Sequence, residues 1–210
     1  MARAVIFDIG NVLIEWRPER HYDRVMPRAR REALFAEVDL SAMNAAVDLG
    51  APFRETVLAL AERHPKWRAE ILMWHDDWIR MASPEIARSV RLLRALRARG
   101  VPVFALSNFG VDTFQTALVE YPFLREFDRA FVSGHLGLAK PDPAIYELVE
   151  RETGFSGADL LFADDREDNI AAAAARGWKT FTFPLDSARG ASEWAARLVA
   201  EGLLSPPEAE

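Results

Sequence analysis

Asp8, Ser107, Asn108, Lys140, Asp164 and Asp165 share one position in the sequence pattern. Each stands at, or just past, the end of a short apolar run. Where strands alternate with helices, such ends line one crevice of the sheet, and ligands bind there. The six would bring three carboxylates, a hydroxyl, an amide and an ammonium together, a set able to bind an anion and to hold a hard cation. The adjacent acids Asp164 and Asp165 repel one another unless a cation lies between them, which favours a metal over a purely structural role. Taken singly, each residue says little, because many strands end in aspartate and a loop lysine is ordinarily solvated. Four such stretches in this order, each between a strand and a helix, are far harder to obtain by chance.

The elements that must position these residues are legible as apolar runs. "AVIFD" (4–8), "VPVFALSN" (101–108), "DLLFADD" (159–165) and "KTFTF" (179–183) read as buried parallel strands, with "RAFVSG" (129–134) as a fifth. Helical patterns separate them. Ser83-Pro84-Glu85 reads as a helix cap with proline at the first helical position. Ile86, Val90 and Leu93 then share a face, and Gly100 closes the helix. Asp142-Pro143 starts another helix that ends at Gly154, and the alanine run 171–175 ends at Gly177. Strand alternating with helix predicts a doubly wound α/β domain with a parallel sheet. Residues 17–82 depart from that alternation and show helical periodicity alone, with Val57, Leu60 and Ala61 on one face and Trp67, Ile71, Trp74 and Trp78 on another. The expected division is an α/β core of residues 1–16 and 83–210, with residues 17–82 as an inserted all-helical cap over the carboxyl ends of the strands.

Composition limits the function classes. The chain has 210 residues, half of them hydrophobic and 28% charged, with a net charge of −6. That balance argues against a nucleic-acid surface, and no apolar run approaches a membrane span. With no cysteine, disulfides and thiolate chemistry are excluded. A cytoplasmic location is the default expectation, since no cationic leader precedes a long apolar stretch. The polar, proline-containing end "SPPEAE" (205–210) is expected to fray.

Four stretches, "VIFDIGNVL", "VFALSN", "GLAKPDPAIYELV" and "LLFADDREDNIAAAAARG", resemble the haloacid dehalogenase superfamily, in family order and across nearly the whole core. The likeness is to its phosphatase-type members with a helical cap after the first strand. The wording of the first and last stretches is nearest the subgroup that includes bacterial α-D-glucose-1-phosphate phosphatases. The resemblance implies that Asp8 is a nucleophile carrying the phosphoryl group as an aspartyl phosphate. Ser107 and the Asn108 amide would hold phosphate oxygens, and Lys140 would neutralise charge on both nucleophile and phosphoryl group. It also implies a Mg²⁺ cofactor and a small phosphorylated metabolite, with sugar phosphates of the glucose 1-phosphate type in view. In the family the metal-binding aspartate lies twelve residues before the glycine that ends the next helix. Counting back from Gly177 selects Asp165 as ligand, with Asp8 and the Gly10 carbonyl. Asp164 and Asn169 would then stand behind these ligands, Asn169 replacing a usual second acid.

Gly10 is the departure. Most phosphatases of the superfamily carry a second aspartate there, which serves as general acid and base, an effect typically worth about 10²- to 10⁴-fold. Glu15, Asp164 or a water on the metal could substitute; without a substitute, substrates with good leaving groups, such as anomeric sugar phosphates and aryl phosphates, should be favoured. Trp16, Arg17, His21, Phe53 and Arg54 fall in cap or hinge regions where substrate contacts are possible. Two rival readings stand beside the phosphatase: a metal-independent haloacid dehalogenase, which would use Asp8 but should not need Asp165, and a non-catalytic phosphometabolite-binding protein.

Overall fold

The computed structural model describes residues 1–210. Seven strands form in chain order: β1 (Ala4–Phe7), β2 (Ile14–Trp16), β3 (Ala82–Glu85), β4 (Val103–Ser107), β5 (Arg129–Val132), β6 (Leu160–Asp164) and β7 (Lys179–Thr182). Five of them make a parallel sheet in the order β5-β4-β1-β6-β7. The five apolar runs are these five strands, trimmed at their ends. β1, β4 and β6 are buried along their whole length, as strands covered on both faces must be. The chain runs outward from β1 through β4 to β5 and then returns to the other side of β1 for β6 and β7. The strand order therefore reverses at β1, and the crevice beyond the carboxyl ends opens there.

Between β2 and β3 lie six helices: α1 (Pro18–Val25), α2 (Arg28–Glu37), α3 (Leu40–Asp48), α4 (Phe53–Arg63), α5 (Arg68–Asp76) and α6 (Trp78–Met81). The apolar faces read from the sequence are the buried ones: Val57, Leu60 and Ala61 on α4, and Trp67, Ile71, Trp74 and Trp78 around α5 and α6. The remaining helices are α7 (Ala87–Ala98), α8 (Val111–Glu120), α9 (Ser133–Leu136), α10 (Pro143–Thr153), α11 (Glu167–Ala175) and α12 (Ser187–Ala200). Asp142 caps α10 as expected, accepting from the Ala144 amide at 2.9 Å, and Gly154 ends that helix in the left-handed conformation at φ 74°. One apolar cluster of 47 buried residues runs from Val5 and Leu93 on the sheet side to Val57 and Ile71 in the helical segment.

Two local expectations are corrected. Ser83-Pro84-Glu85 does not start a helix. Residues Ala82–Glu85 are strand β3, antiparallel to β2, and the helix begins at Ala87. Proline biases the residue before it toward extended backbone, and pairing with β2 exploits that bias; the Ile86 amide donates to the Leu13 carbonyl at 2.7 Å. The β2–β3 pair thus ties together the two connections that flank the helical segment. The end of the chain is not frayed. Pro206–Ala209 forms a helical turn with a Ser205–Glu208 capping box, Ala209 is buried, and Arg99 pairs with Glu208 at 3.0 Å.

Candidate active site

Asp8 follows the last residue of β1, and its amide donates to the Ala163 carbonyl of β6 at 2.8 Å, so the sheet ladder fixes where its side chain leaves. One carboxylate oxygen, Oδ1, accepts from three donors: the Ile9 amide at 2.7 Å, Ser107 Oγ at 2.6 Å and Lys140 Nζ at 3.0 Å. The other oxygen carries no hydrogen bond from the protein. A carboxylate anchored through one oxygen presents the second in a fixed direction. Asp8 is 6% exposed, and burial pushes its carboxyl up to about 7; Lys140 opposes the rise, and the Asp164 and Asp165 charges add to it.

Lys140 is fully enclosed. Its ammonium bridges Asp8 and Asp164, lying 2.6 Å from Asp164 Oδ2. Burial alone would lower its pKa, but the two facing carboxylates outweigh that and raise it. Asn108 positions the lysine from behind through a reciprocal pair: its Nδ2 donates to the Lys140 carbonyl and its Oδ1 accepts from the Lys140 amide, both at 2.8 Å. The Asn108 side chain is therefore committed to Lys140. The backbone N–H groups of Gly10 and Asn108 have no acceptor within the chain, and both residues line the cleft.

Asp164 and Asp165, though adjacent, sit differently. Asp164 is wholly buried and accepts from Lys140, from Asn169 Nδ2 at 3.0 Å and from the Arg166 amide at 2.8 Å. Asp165 lines the cleft and accepts from Asn11 Nδ2 at 2.8 Å. Burial raises its pKa, against the pull of the Asn11 hydrogen bond. Oxygens of Asp8, Asp164 and Asp165 all lie within 4.8 Å of one another. Fully ionised, three carboxylates with one lysine would leave an excess of two negative charges in a largely desolvated site, and that crowding adds to the rise of the Asp8 and Asp165 carboxyls. Asn169 Oδ1 is also buried without a donor. An all-oxygen donor set with surplus negative charge fits Mg²⁺ and the waters it retains.

Five of the six residues expected from the sequence line one cleft with Gly10 and Asn169, and Asp164 lies behind it, bonded to Lys140. Of the five cap or hinge candidates, Trp16 and Arg17 line the cleft. His21 is instead buried against Asp77 at 3.2 Å, Phe53 packs in the core, and Arg54 is exposed. Among the lining residues that escaped the sequence reading, two hold polar partners within the site. Asn11 adopts a left-handed backbone at φ 56° and links Asp165 to the Trp16 amide and to the Arg17 guanidinium. Its signal was the Gly-Asn pair, since asparagine tolerates that conformation better than most residues. The second is Asp48, on α3, whose partner Asn44 lies one helical turn earlier.

Residues 2–177 match the family described as haloacid dehalogenase-like hydrolase. The chain belongs to that family. This haloacid dehalogenase-like hydrolase is 35% identical over 91 residues to the sesquiterpene phosphatase astK of Aspergillus oryzae, covering 43% of the chain and 46% of that protein. It is 29% identical over 105 residues to a haloacetate dehalogenase of Moraxella sp., covering 50% of the chain and 46% of that protein. The matches thus span just under half the length of both relatives. A family enzyme from Bacteroides thetaiotaomicron, solved with magnesium and inorganic phosphate, superposes with a TM-score of 0.67 at 19% identity, covering 89% of this chain and 96% of that one. At that identity the likeness speaks for the fold. No helix of the hydrolase is long and apolar enough to cross a membrane.

Proposed function

We propose that this hydrolase is a Mg²⁺-dependent phosphomonoesterase using Asp8 as nucleophile. The observation that carries the reading is the position of Asp165: its carboxylate and that of Asp8 come within ligand-sharing distance, inside 4.8 Å, at the mouth of one cleft. A dehalogenase acting on carbon through Asp8 should not need that second acid as a metal ligand.

In the proposed reaction the free oxygen of Asp8 attacks phosphorus, and the bond between phosphorus and the substrate's ester oxygen breaks. The alcohol departs with a proton and leaves an aspartyl phosphate. Water then cleaves the acyl phosphate, releasing phosphate and restoring the carboxylate. Lys140 and Ser107 hold Asp8 through its other oxygen, so the attack direction is set before substrate arrives. The free N–H groups of Gly10 and Asn108 are the donors available to phosphoryl oxygens. Asp8, the Gly10 carbonyl and Asp165 would hold Mg²⁺, and Asp164 with Asn169 would orient them. When bound, the cation supplies positive charge against the phosphoryl oxygens.

The helical segment 17–82 is proposed as the cap that selects the leaving alcohol, with residues 1–16 and 83–210 as the catalytic core. Phe35 and Asn44 face the substrate space from its side, and Trp16 from the strand beside it, within a cleft of about 1300 Å³. A sugar phosphate of the glucose 1-phosphate type is the first substrate to examine. Apolar alcohol phosphates are the second, given the aromatic wall and the sesquiterpene phosphatase relative. The test is a panel of phosphorylated metabolites and haloacids assayed with Mg²⁺ and with chelator. Phosphate release that requires Mg²⁺ supports the reading; halide release indifferent to chelation overturns it in favour of the dehalogenase.

A further inference from the structure

The glycine at position 10 leaves the phosphatase without an acid beside its nucleophile, and the structure removes two of the substitutes expected from the sequence. Glu15 does not line the cleft, and both its oxygens are engaged, by Arg20 and by Ser187 Oγ. Although burial acts to raise the Glu15 carboxyl, those hydrogen bonds outweigh it and hold the group below the ordinary range, ionised and unable to donate. Asp164 is sealed from the cleft by its own donors and bound to the Lys140 ammonium.

The other cleft carboxyls are committed elsewhere. Asp39 and Asp186 cap α3 and α12, accepting from the Ala42 amide at 2.8 Å and the Arg189 amide at 3.1 Å. Glu37 accepts from Lys66 and from Trp67 Nε1, each at 2.8 Å, and those bonds keep it ionised. Glu19 is exposed.

Asp48 is also held by neutral donors, but it caps no helix and is more buried. It lines the cleft from the helical side and pairs with no cation; its Oδ2 accepts from Asn44 Nδ2 at 2.9 Å. The Gly110 amide also reaches its carboxyl, two residues beyond Asn108. The segment bearing it is locked onto the loops beyond β4 and β5. Ser133 Oγ donates to the Asp48 carbonyl at 2.5 Å. A Cβ at Gly110 would fall 2.6 Å from Val47 Cγ1, and one at Gly50 would fall 2.8 Å from the Gly134 carbonyl oxygen. Approaches this close seat the end of α3 on the loop after β4, which carries Asn108, and Gly50 just beyond it on the turn after β5.

We propose that Asp48 is the general acid of this hydrolase, donating its proton to the ester oxygen as the alcohol leaves. The proposal rests on the phosphatase reading. As the bond from phosphorus to the ester oxygen breaks, the electron pair stays on that oxygen and takes the Asp48 proton; the Asp48 carboxylate then recovers a proton from the water that hydrolyses the aspartyl phosphate. Its protonation state suits proton donation at neutral pH. Burial, with the Asp8 charge adding to it, pushes the Asp48 carboxyl up to about 7 against the opposing Gly110 and Asn44 hydrogen bonds. A general acid is most useful with its pKa near the working pH.

The experiment is a series of substituted phenyl phosphates of similar size, assayed with Mg²⁺ for wild type and Asp48→Asn. The variant should lose about 10²-fold in kcat/KM on phenyl phosphate, where the phenolate needs a proton. On 2,4-dinitrophenyl phosphate, whose phenolate leaves unaided, it should stay near wild type. The ratio is internal to one preparation, so a partly unfolded sample cannot mimic it. Adding Gly10→Asp to Asp48→Asn should restore phenyl phosphate hydrolysis, since no atom lies within 4 Å of a Cβ at position 10. Uniform loss across the series, or no loss, would overturn the role of Asp48 while leaving the phosphatase standing. A wild-type enzyme that releases phosphate neither from this series nor from the metabolite panel would overturn the phosphatase reading and this role with it.

Discussion

Replacing Lys140 by methionine isolates the electrostatic design of the site. Methionine fills most of the lysine stem but removes the ammonium that lies 3.0 Å from Asp8 and 2.6 Å from Asp164. Asp164 has no exposed surface, so water cannot take the place of the lost partner. Its remaining donors, Asn169 Nδ2 and the Arg166 amide, are neutral. Breaking a buried pair by removing one member costs about 3–5 kcal/mol, because an uncompensated charge is left behind. Domain stabilities run about 5–15 kcal/mol in total, so a large part of the folding free energy is at stake. For a chain of this size each kcal/mol moves the midpoint by about 2–4 °C, which predicts a fall in Tm of about 6–20 °C. Urea unfolding in chelated buffer should show the matching drop in midpoint at unchanged m-value. Adding Asp164→Asn to Lys140→Met should recover at least half of the loss, since the stranded charge goes with it. A loss below about 1 kcal/mol for Lys140→Met would mean that Asp164 is not held as a buried anion. No recovery in the double variant would refute the same reasoning.

The other expectations concern metal, nucleophile and packing. EDTA should abolish phosphate release and Mg²⁺ should restore it. Asp165→Ala should remove activity or raise the metal requirement, whereas Asp168→Ala should be mild, because Asp168 pairs with Arg166 on the surface at 2.7 Å; the reverse order of severity would show that the ligand assignment is wrong. Asp8→Asn should keep its fold but fall to background turnover, measured as phosphate release over hours alongside circular dichroism. Gly190→Ala should destabilise by about 1–3 kcal/mol, since its Cβ would fall 2.3 Å from Phe183 Cε1; an unchanged urea midpoint would contradict the close helix–sheet packing.

The strands were legible in the sequence because buried parallel strands read as continuous apolar runs, and the polar residues at several of their ends marked where the crevice would lie. Asp8, Ser107, Lys140 and the Asp164-Asp165 pair came from that pattern, while the choice of Asp165 within the pair came from the family resemblance. The β2–β3 pair was not legible, because its two sequences are short, mixed in character and separated by the whole helical segment. Ser83-Pro84-Glu85 carried the chemistry of a helix start, and tertiary pairing overrode it. The chain end was misread for a similar reason: polarity and proline suggested fraying, while Ser205 and Glu208 build a local cap against α7 and α12 that composition does not reveal. Asp48 was invisible because a lone acid on an amphipathic helix resembles any solvated residue. Its distinction lies in the glycines of other segments that allow α3 to approach.

Those glycine contacts, and the apolar cluster shared by sheet and helices, bear on how this enzyme can be re-engineered. Substrate range in a two-part hydrolase is often imagined as exchangeable, one lid lifted off and another fitted. Here the helical segment contributes to the same continuous core as the sheet, and α3 rests on Gly110 and Gly134 with no room for a side chain between. A transplanted lid would need matching residues at positions 47 and 50 and an acid at 48, or it would arrive as a loose cover over a site unable to protonate what it releases. Redesign of specificity therefore belongs at isolated wall positions such as Phe35 and Trp16, leaving the seam intact.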